Sequence, residues 1–284
     1  MIPNTFEYTA PLTLKVALAL IGEGGKPLAG GMSLIPMMKL RMAAPEHLVD
    51  IGRIAELNYI REAGGELHIG ANATHYDVES SPLIVGKCPL LAETAGHIGD
   101  IQVRNRGTLG GSVAHADPSA DYPAALQALE AKIVLTSATS QRTVAVGDFF
   151  IDTFTTSLEP GELVTEVIVP VEAGLTGTSY QKFLQPASGF AIVGVAARIR
   201  REAGKITVAR IGVTGVSGNS YRALKAEAAL VGKAGSDAEI DAAAALVGEG
   251  VEAGADLHAS AEYRLHLAAN YAERAIRVAL SRTA

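Results

Sequence analysis

Two segments with adjacent glycines constrain the fold of this chain more than any other feature. The first, AGGMSL at residues 29–34, follows a predicted strand (KPLAG) and precedes a predicted helix (LIPMMKLR). Consecutive glycines can turn their backbone N–H groups to one side, and without a β-carbon they let a ligand approach the main chain closely. Together with the unpaired donors of a helix N-terminus, this pattern predicts a nest for a pyrophosphate group. The same pattern is also ordinary turn chemistry, so this segment alone does not establish a binding site.

The second segment, GTLGGS at residues 107–112, is predicted to be a loop of the same kind. Thr108 and Ser112 flank its glycines with hydroxyl groups. Arg104 and Arg106 precede it, in a polar cluster that braces the loop or faces a partner protein. Neither segment has the spacing of a P-loop or of a dinucleotide-binding fingerprint, which excludes those two kinds of nucleotide site.

The residues after the second segment predict a helix start. Asp117 is the expected N-cap and Pro118 the expected first helical residue. Asp121 then falls one turn into this helix, where an acid complements the positive end of the helix dipole. A structural role of this kind is ordinary, so a ligand role for Asp121 needs support from elsewhere.

Composition limits the classes of protein and of site. With 48% hydrophobic and 19% charged residues, the 284-residue chain is expected to be globular. A net charge of -6 argues against a nucleic-acid surface, and no apolar run reaches the about 20 residues of a membrane helix. Cys88 is the only cysteine, which excludes an internal disulfide and a cysteine-ligated iron–sulfur cluster in this chain. The histidines lack metal-site spacing, so no metal site is predicted, and the chain is expected to be cytoplasmic.

The order of predicted elements indicates an α+β protein. Strand–helix alternation predicts one α/β lobe at residues 1–54 and a second lobe at residues 55–175. Residues 176–284 contain a long hairpin that turns at Gly204, followed by three alanine-rich helices. This last part is predicted to be an antiparallel sheet packed by helices, with Arg210 and neighbouring basic residues on its solvent face.

Three stretches of the chain, in order, resemble the FAD-carrying medium subunit of the molybdenum hydroxylases, the group that contains xanthine dehydrogenase and aerobic carbon monoxide dehydrogenase. They are PLAGGMSLIPMMKLRMAAPEHLVDI, IGANATH and QVRNRGTLGGSVAHADPSADYPA. The resemblance covers essentially the whole chain and looks nearest the carbon monoxide dehydrogenase branch. It implies a two-lobed α/β FAD-binding domain of the vanillyl-alcohol-oxidase type at residues 1–175. It also implies a C-terminal domain of the molybdenum-hydroxylase flavoprotein type at residues 176–284.

The resemblance assigns cofactor contacts to this chain, with no catalytic and no metal-ligating residue. The first glycine segment would bind the pyrophosphate, the second would be a further flavin loop, and Asp121 would contact the sugar portion of FAD. The residues implied to bind FAD are Ala29, Gly30, Gly31, Met32, Ser33, Leu34, Thr108, Leu109, Gly110, Gly111, Ser112, Asp121, Val164 and Lys182. The family often has an aspartate before the alanine of the segment that corresponds to SGFA. Gly189 and Phe190 occupy that stretch here, so no contact from such an acid is expected.

The function that the resemblance implies is electron transfer. Substrate would be oxidised at a molybdenum cofactor in a large subunit, and electrons would pass through two [2Fe–2S] clusters of a small subunit to FAD in this chain. An external acceptor would then take the electrons from FAD. The three subunits would form a heterotrimer or a dimer of heterotrimers. Two alternatives remain open. One is a free-standing FAD-dependent oxidoreductase, with His75, His97 and His115 as candidate acid–base groups; the other is a non-catalytic nucleotide-binding scaffold whose glycine segments are only turns.

Overall fold

A computed structural model describes residues 2–172 and 174–283 of the chain. Three residues lie outside the described ranges: 1 and 173 in the first predicted domain, and 284 in the second. Within the described ranges, no helix is both long enough and apolar enough to cross a membrane.

Strands and helices alternate in the first two thirds of the chain, and strands precede helices in the last third. The strands are β1 (Glu7–Thr9), β2 (Lys26–Leu28), β3 (His47–Asp50), β4 (Ile60–Ala63), β5 (Glu66–Gly70), β6 (Lys132–Thr136), β7 (Gln141–Ala145), β8 (Phe150–Asp152), β9 (Thr155–Thr156), β10 (Leu163–Pro170), β11 (Thr176–Leu184), β12 (Ala191–Glu202), β13 (Lys205–Thr214) and β14 (Tyr221–Arg222). The helices are α1 (Leu14–Gly22), α2 (Leu34–Lys39), α3 (His75–Ser80), α4 (Pro82–Lys87), α5 (Pro89–Gly96), α6 (Ile101–Arg104), α7 (Leu109–His115), α8 (Tyr122–Leu129), α9 (Val146–Phe149), α10 (Leu224–Leu230), α11 (Asp237–Ala244) and α12 (Ala261–Ser281). A short 3-10 helix spans Ala55–Leu57.

The strands form three main sheets, and the predicted α+β class is confirmed. The first sheet is parallel, with the order β1-β3-β2. The second is antiparallel, with the order β4-β5-β10-β6-β7. The third, called the C-terminal sheet below, is antiparallel with the order β11-β12-β13-β14, and β8 pairs with β9 alone.

Several elements begin or turn where local sequence chemistry predicts. Thr74 caps α3 in a reciprocal capping box with Asp77, so one side chain satisfies each of two orphan N–H groups. The β12–β13 hairpin turns at Ala203 and Gly204, which both have positive φ angles of +48° and +76°. Turns of this handedness match the twist of the paired strands.

The C-terminal sheet packs on helices from both parts of the chain. Tyr180 and Ala196 belong to the core that also contains α8, whereas Val195 and Ala197 belong to the core that contains α12. A β-carbon at Gly212 would lie 2.0 Å from the carbonyl oxygen of Ala124 in α8. Glycine at this position therefore permits the sheet and α8 to pack closely.

The prediction that Arg210 lies on the solvent face of this sheet is wrong. Arg198 and Arg210 are directly opposite each other on β12 and β13, on the face that packs against α8. Arg198 is only 8% exposed and forms an ion pair with Glu172 at 2.8 Å. Arg210 pairs with Glu130, just after α8, at 2.9 Å. The reason is that the first part of the chain covers this face and supplies acids to its arginines.

Candidate functional site

The first glycine segment connects edge strand β2 to α2, as the sequence predicts. Gly31 has a φ of +75°, a conformation that favours glycine. Within residues 2–172 and 174–283, the backbone N–H groups of Gly30, Gly31, Met32 and Ser33 donate to no protein acceptor. Ser33 stands at the N-cap position of α2, but its side chain makes no capping hydrogen bond. Four successive unpaired donors beside a helix start fit the phosphate groups of a nucleotide cofactor.

This segment lies at the surface and touches the second glycine segment. Ala29 and Leu34 are half-buried, whereas Met32 is 40% exposed. A β-carbon at Gly30 would lie only 1.9 Å from the carbonyl oxygen of Arg106. The structure therefore brings the two segments into backbone contact, and only glycine permits that approach.

The prediction that the second segment is a loop is wrong. Thr108 is the N-cap of α7, and its Oγ1 accepts a hydrogen bond from the Gly111 N–H at 3.1 Å. Leu109, Gly110, Gly111 and Ser112 therefore form the first turn of a helix. Glycine has a low helix propensity, but the threonine cap and burial of this turn compensate for it.

Most backbone donors of the second segment are already used within the protein. The N–H groups of Leu109 and Gly110 donate at 2.9 Å to the carbonyl oxygens of Ala73 and Ala71. Leu109 and Gly110 are buried, while Gly111 is exposed. This segment therefore presents its outer surface, including the half-buried Ser112, rather than a nest of donors like the first.

The helix predicted to start at Asp117 begins four residues later. Asp117 Oδ1 instead accepts the Ser119 N–H at 2.8 Å in a turn. Asp121, predicted one turn inside the helix, occupies the N-cap position of α8 and makes no capping hydrogen bond. Contacts with the C-terminal sheet hold its carboxylate instead.

Asp121 and Lys182 form a buried ion pair. Asp121 is 4% exposed, and Lys182 Nζ donates to its Oδ2 at 2.8 Å. The Tyr180 hydroxyl donates to Oδ1 at 2.5 Å. Burial raises the pKa of the Asp121 carboxyl, and the Lys182 ammonium opposes that effect. Lys182 also donates to the His97 carbonyl oxygen at 2.9 Å, which leaves one ammonium N–H without an acceptor among the described residues.

Buried His75 lies between the start of α8 and the second glycine segment. Its Nδ1 is 3.2 Å from the hydroxyl of Tyr122, the residue after Asp121. Its backbone N–H donates to the Gly107 carbonyl oxygen at 2.9 Å, and a β-carbon at Gly107 would lie 2.5 Å from its Nε2. Burial lowers the pKa of His75 to about 4, with a smaller contribution from Arg104, so the ring is neutral at pH 7.

Val164 lies next to a residue that contacts this region. Its side chain is 2% exposed and belongs to the core. The carbonyl oxygen of the next residue, Thr165, accepts the Ala71 N–H at 3.0 Å, and the Ala71 carbonyl oxygen accepts the Gly110 N–H. Strand β10 is therefore joined to the second segment through Ala71.

Sequence reasoning missed Asn72, which lies between the residues that hold the second segment. Its Nδ2 donates to the Ile51 carbonyl oxygen at 2.6 Å, and it is 6% exposed. Its Oδ1 is buried without a donor among the described residues. Because Ile51 follows strand β3 of the parallel sheet, Asn72 joins that sheet to residues 71–73, near the point where the glycine segments meet. A polar residue in IGANATH, among otherwise buried positions, was the available signal.

Arg104 and Arg106, whose role the sequence leaves open, have different surroundings in the structure. Arg104 ties α6 to the turn before it and to α3: its Nη1 donates to the carbonyl oxygens of Ile98 and Gly99, and its Nε pairs with Glu79 at 2.8 Å. The exposed Arg106 side chain makes no ion pair within the described ranges.

The three candidate acid–base histidines occupy different settings. His75 is 5% exposed and burial lowers its pKa to about 4, so its ring is a weak base with little access to a substrate. The His97 ring packs edge-on to Tyr180, with centroids 5.6 Å apart, and the His115 ring lies 5.0 Å from that of Phe154. No geometry here selects one of them as a catalytic base.

The stretch that departs from the family pattern is a turn between β11 and β12. Gly189 has a φ of +74°, and its N–H donates to the Gln185 carbonyl oxygen at 2.8 Å. Phe190 is 46% exposed. The turn therefore presents an aromatic side chain rather than an acid.

Comparisons with known proteins agree along the whole chain. A model described as the FAD binding domain in molybdopterin dehydrogenase matches residues 4–172, and one described as the CO dehydrogenase flavoprotein C-terminal domain matches residues 178–279. The carbon monoxide dehydrogenase medium chain of Hydrogenophaga pseudoflava is 42% identical, over 100% of both chains. The glyceraldehyde dehydrogenase medium chain of Sulfolobus acidocaldarius is 38% identical, over 93% of this chain and 94% of its own. A solved structure of carbon monoxide dehydrogenase from H. pseudoflava, lacking the Mo-pyranopterin moiety of the molybdenum cofactor, matches with a TM-score of 0.97 at 44% identity, over 100% of both chains.

Proposed function

Because the chain belongs to the FAD-binding medium subunits of the molybdenum hydroxylase family, we propose that it is the electron-transfer subunit of such a complex. A large subunit would hold the molybdenum cofactor, and a small subunit would pass electrons from its [2Fe–2S] clusters to this chain and on to an external acceptor. FAD supplies the redox chemistry when it is bound, and the residues of this chain bind and orient it. Relatives of similar identity are named for carbon monoxide and for glyceraldehyde, so the substrate of the complex is set outside this chain.

The observation that carries this proposal is the run of unpaired backbone donors from Gly30 to Ser33. Phosphate oxygens accept hydrogen bonds, so we assign the pyrophosphate of FAD to these donors, with Ala29 and Leu34 at the ends of the segment. The surface of residues 108–112 would form the facing wall, because Gly30 brings the two segments into contact.

The rest of the cofactor would lie along the contacts that continue from the glycine segments. Tyr122, whose hydroxyl contacts His75 beside Gly107, directly follows Asp121 in the chain, and we assign Asp121 and Lys182 to the sugar and flavin portions. We assign Val164 a main-chain contact, since its side chain is buried.

The proposal includes a domain division and an assembly. Residues 1–175 would be the FAD-binding domain, with lobes at about 1–54 and 55–175, and residues 176–284 would be the C-terminal domain. With one large and one small subunit the chain would form a heterotrimer, which would double into a dimer of heterotrimers.

Native purification tests the assembly. The complex is expected to show flavin and [2Fe–2S] absorption, to contain molybdenum and to include two further chains. Flavin without partner chains would instead support the free-standing oxidoreductase. A chain that binds no FAD even when the cofactor is added would support the non-catalytic scaffold.

A glycine substitution tests the site. Gly111 is exposed, and a β-carbon there would meet only Thr108 Oγ1, at 2.7 Å, so the fold should accept a larger residue at the cost of one capping bond. Gly111→Val is expected to weaken FAD binding at least about tenfold, equivalent to about 1.4 kcal/mol, because the side chain fills the cofactor's space. FAD fluorescence titration of the full-length apo chain measures this.

The matched control is Gly86→Val. Gly86 is also an exposed helical glycine, in α4, and a β-carbon placed on it would have nothing within 4 Å. This variant should bind FAD like the wild type. Equal FAD affinity of the two valine variants would remove the second segment from the site.

A further inference from the structure

The segment at residues 117–121, which carries Asp121, is held mainly from the C-terminal sheet. Thr214 Oγ1, at the end of β13, lies 2.8 Å from the Pro118 carbonyl oxygen and 2.9 Å from the Ala120 carbonyl oxygen, and its single proton is shared between these two acceptors. The Gly215 N–H also donates to the Pro118 carbonyl oxygen, at 2.8 Å. Helix α8 begins only after this segment, so the conformation of 117–121 depends on these donors.

Tyr180 donates a hydrogen bond to Asp121, the last residue of that segment. Its ring is 1% exposed, and its hydroxyl donates to Asp121 Oδ1 at 2.5 Å. Tyr180 and Lys182 are two residues apart on β11, so both side chains extend from the same face of the strand. Tyr180 and Lys182 each donate to a different oxygen of the Asp121 carboxylate, and the two hydrogen bonds together fix the plane of that carboxylate.

The adjacent strand has space for the tyrosine hydroxyl only because residue 194 is glycine. A β-carbon at Gly194 would lie 2.3 Å from Tyr180 Oη. Glycine at position 194 therefore leaves the space that the Tyr180 hydroxyl needs to reach Asp121.

We propose that Tyr180 is a positioning residue for the cofactor, acting from the C-terminal sheet through Asp121. A carboxylate offers about four acceptor sites, and Tyr180 and Lys182 use two of them. The other lone pairs are held in a fixed direction, where they accept hydrogen bonds from hydroxyl groups of the FAD sugar portion. The inference rests on the proposed function, because it takes Asp121 to contact FAD.

The test is a double-mutant cycle for FAD affinity, measured by fluorescence titration of the full-length apo chain. Tyr180→Phe keeps the ring and removes the hydroxyl, and is expected to raise the dissociation constant for FAD about three- to tenfold. Asp121→Ala should raise it at least as much. In the Asp121→Ala background, Tyr180→Phe should add less than about twofold, because Tyr180 acts through the missing carboxylate.

Tyr221→Phe is the matched control. Its hydroxyl is also buried in the C-terminal sheet, and it has no hydrogen-bond partner among the described residues. This variant should leave FAD affinity unchanged. Thr214→Val is a second variant that tests the proposed support: it removes the hydroxyl that donates to the 117–121 segment and should also weaken FAD binding.

The outcomes separate a failure of the Tyr180 inference from a failure of the proposed function. A loss of affinity on Tyr180→Phe that is absent in the Asp121→Ala background supports the inference. Losses that add fully in the double variant, or wild-type affinity in both Tyr180→Phe and Thr214→Val, overturn it while leaving the FAD site intact. A wild-type chain that binds no FAD overturns the proposed function itself.

Discussion

The buried imidazole of His75 gives the chain a defined loss of stability in acid. Burial lowers its pKa from 6.5 to about 4 in the folded chain, and the ring is 5% exposed. The unfolded chain therefore binds a proton near pH 6.5, whereas the folded chain resists protonation until about pH 4. Between these values the unfolded state binds more protons, so stability falls as the pH falls.

The magnitude follows from the size of the shift. Two and a half pKa units correspond to about 3 kcal/mol when the effect is complete, and about 2 kcal/mol of this is lost between pH 7 and pH 5. His75→Gln keeps a polar side chain that does not titrate. It should therefore lose about 2 kcal/mol less than the wild type over that pH interval, even if its stability at pH 7 is lower.

Urea unfolding of the full-length chain at pH 7 and pH 5 measures the difference. His258→Gln is the control, because the side chain of His258 is exposed to solvent. It should show the pH dependence of the wild type. If His75→Gln loses as much stability as the wild type, the ring is not held neutral in the fold, and its place beneath Gly107 has been assigned incorrectly.

Two further predictions concern glycines at close backbone contacts. Gly30→Ala places a β-carbon 1.9 Å from the Arg106 carbonyl oxygen, so it should separate the glycine segments and abolish FAD binding in a fluorescence titration; Gly22→Ala, with nothing within 4 Å, should bind FAD normally. Gly212→Ala places a β-carbon 2.0 Å from the Ala124 carbonyl oxygen and should destabilise the chain by about 1–3 kcal/mol in urea unfolding. Unchanged stability would show that α8 does not pack against the sheet at this distance.

Features that depend on neighbouring residues were predictable from sequence. The Thr74 cap, the hairpin at Gly204 and the strand–helix setting of residues 29–34 were confirmed, because each is determined within a few residues. Family resemblance correctly indicated the FAD-binding fold and the C-terminal sheet with its helices.

The errors came from contacts that are distant in sequence. Adjacent glycines indicated a loop at residues 108–112, but packing against Ala71 and Ala73 stabilises a helix there. Asp117 and Asp121 both suited a helix N-terminus, and the choice between them depends on Tyr180, about sixty residues later. No local pattern contains that information.

The buried ion pair makes the two parts of the chain depend on each other. Asp121 precedes α8 and Lys182 lies on β11, so each part supplies one charge. A charge buried without its partner costs about 3–5 kcal/mol. Neither part can therefore bury its charged residue at low energy before the other has docked. The same contact that orients Asp121 thus couples docking of the C-terminal sheet to formation of the proposed FAD site, and a chain with an undocked sheet should lack both.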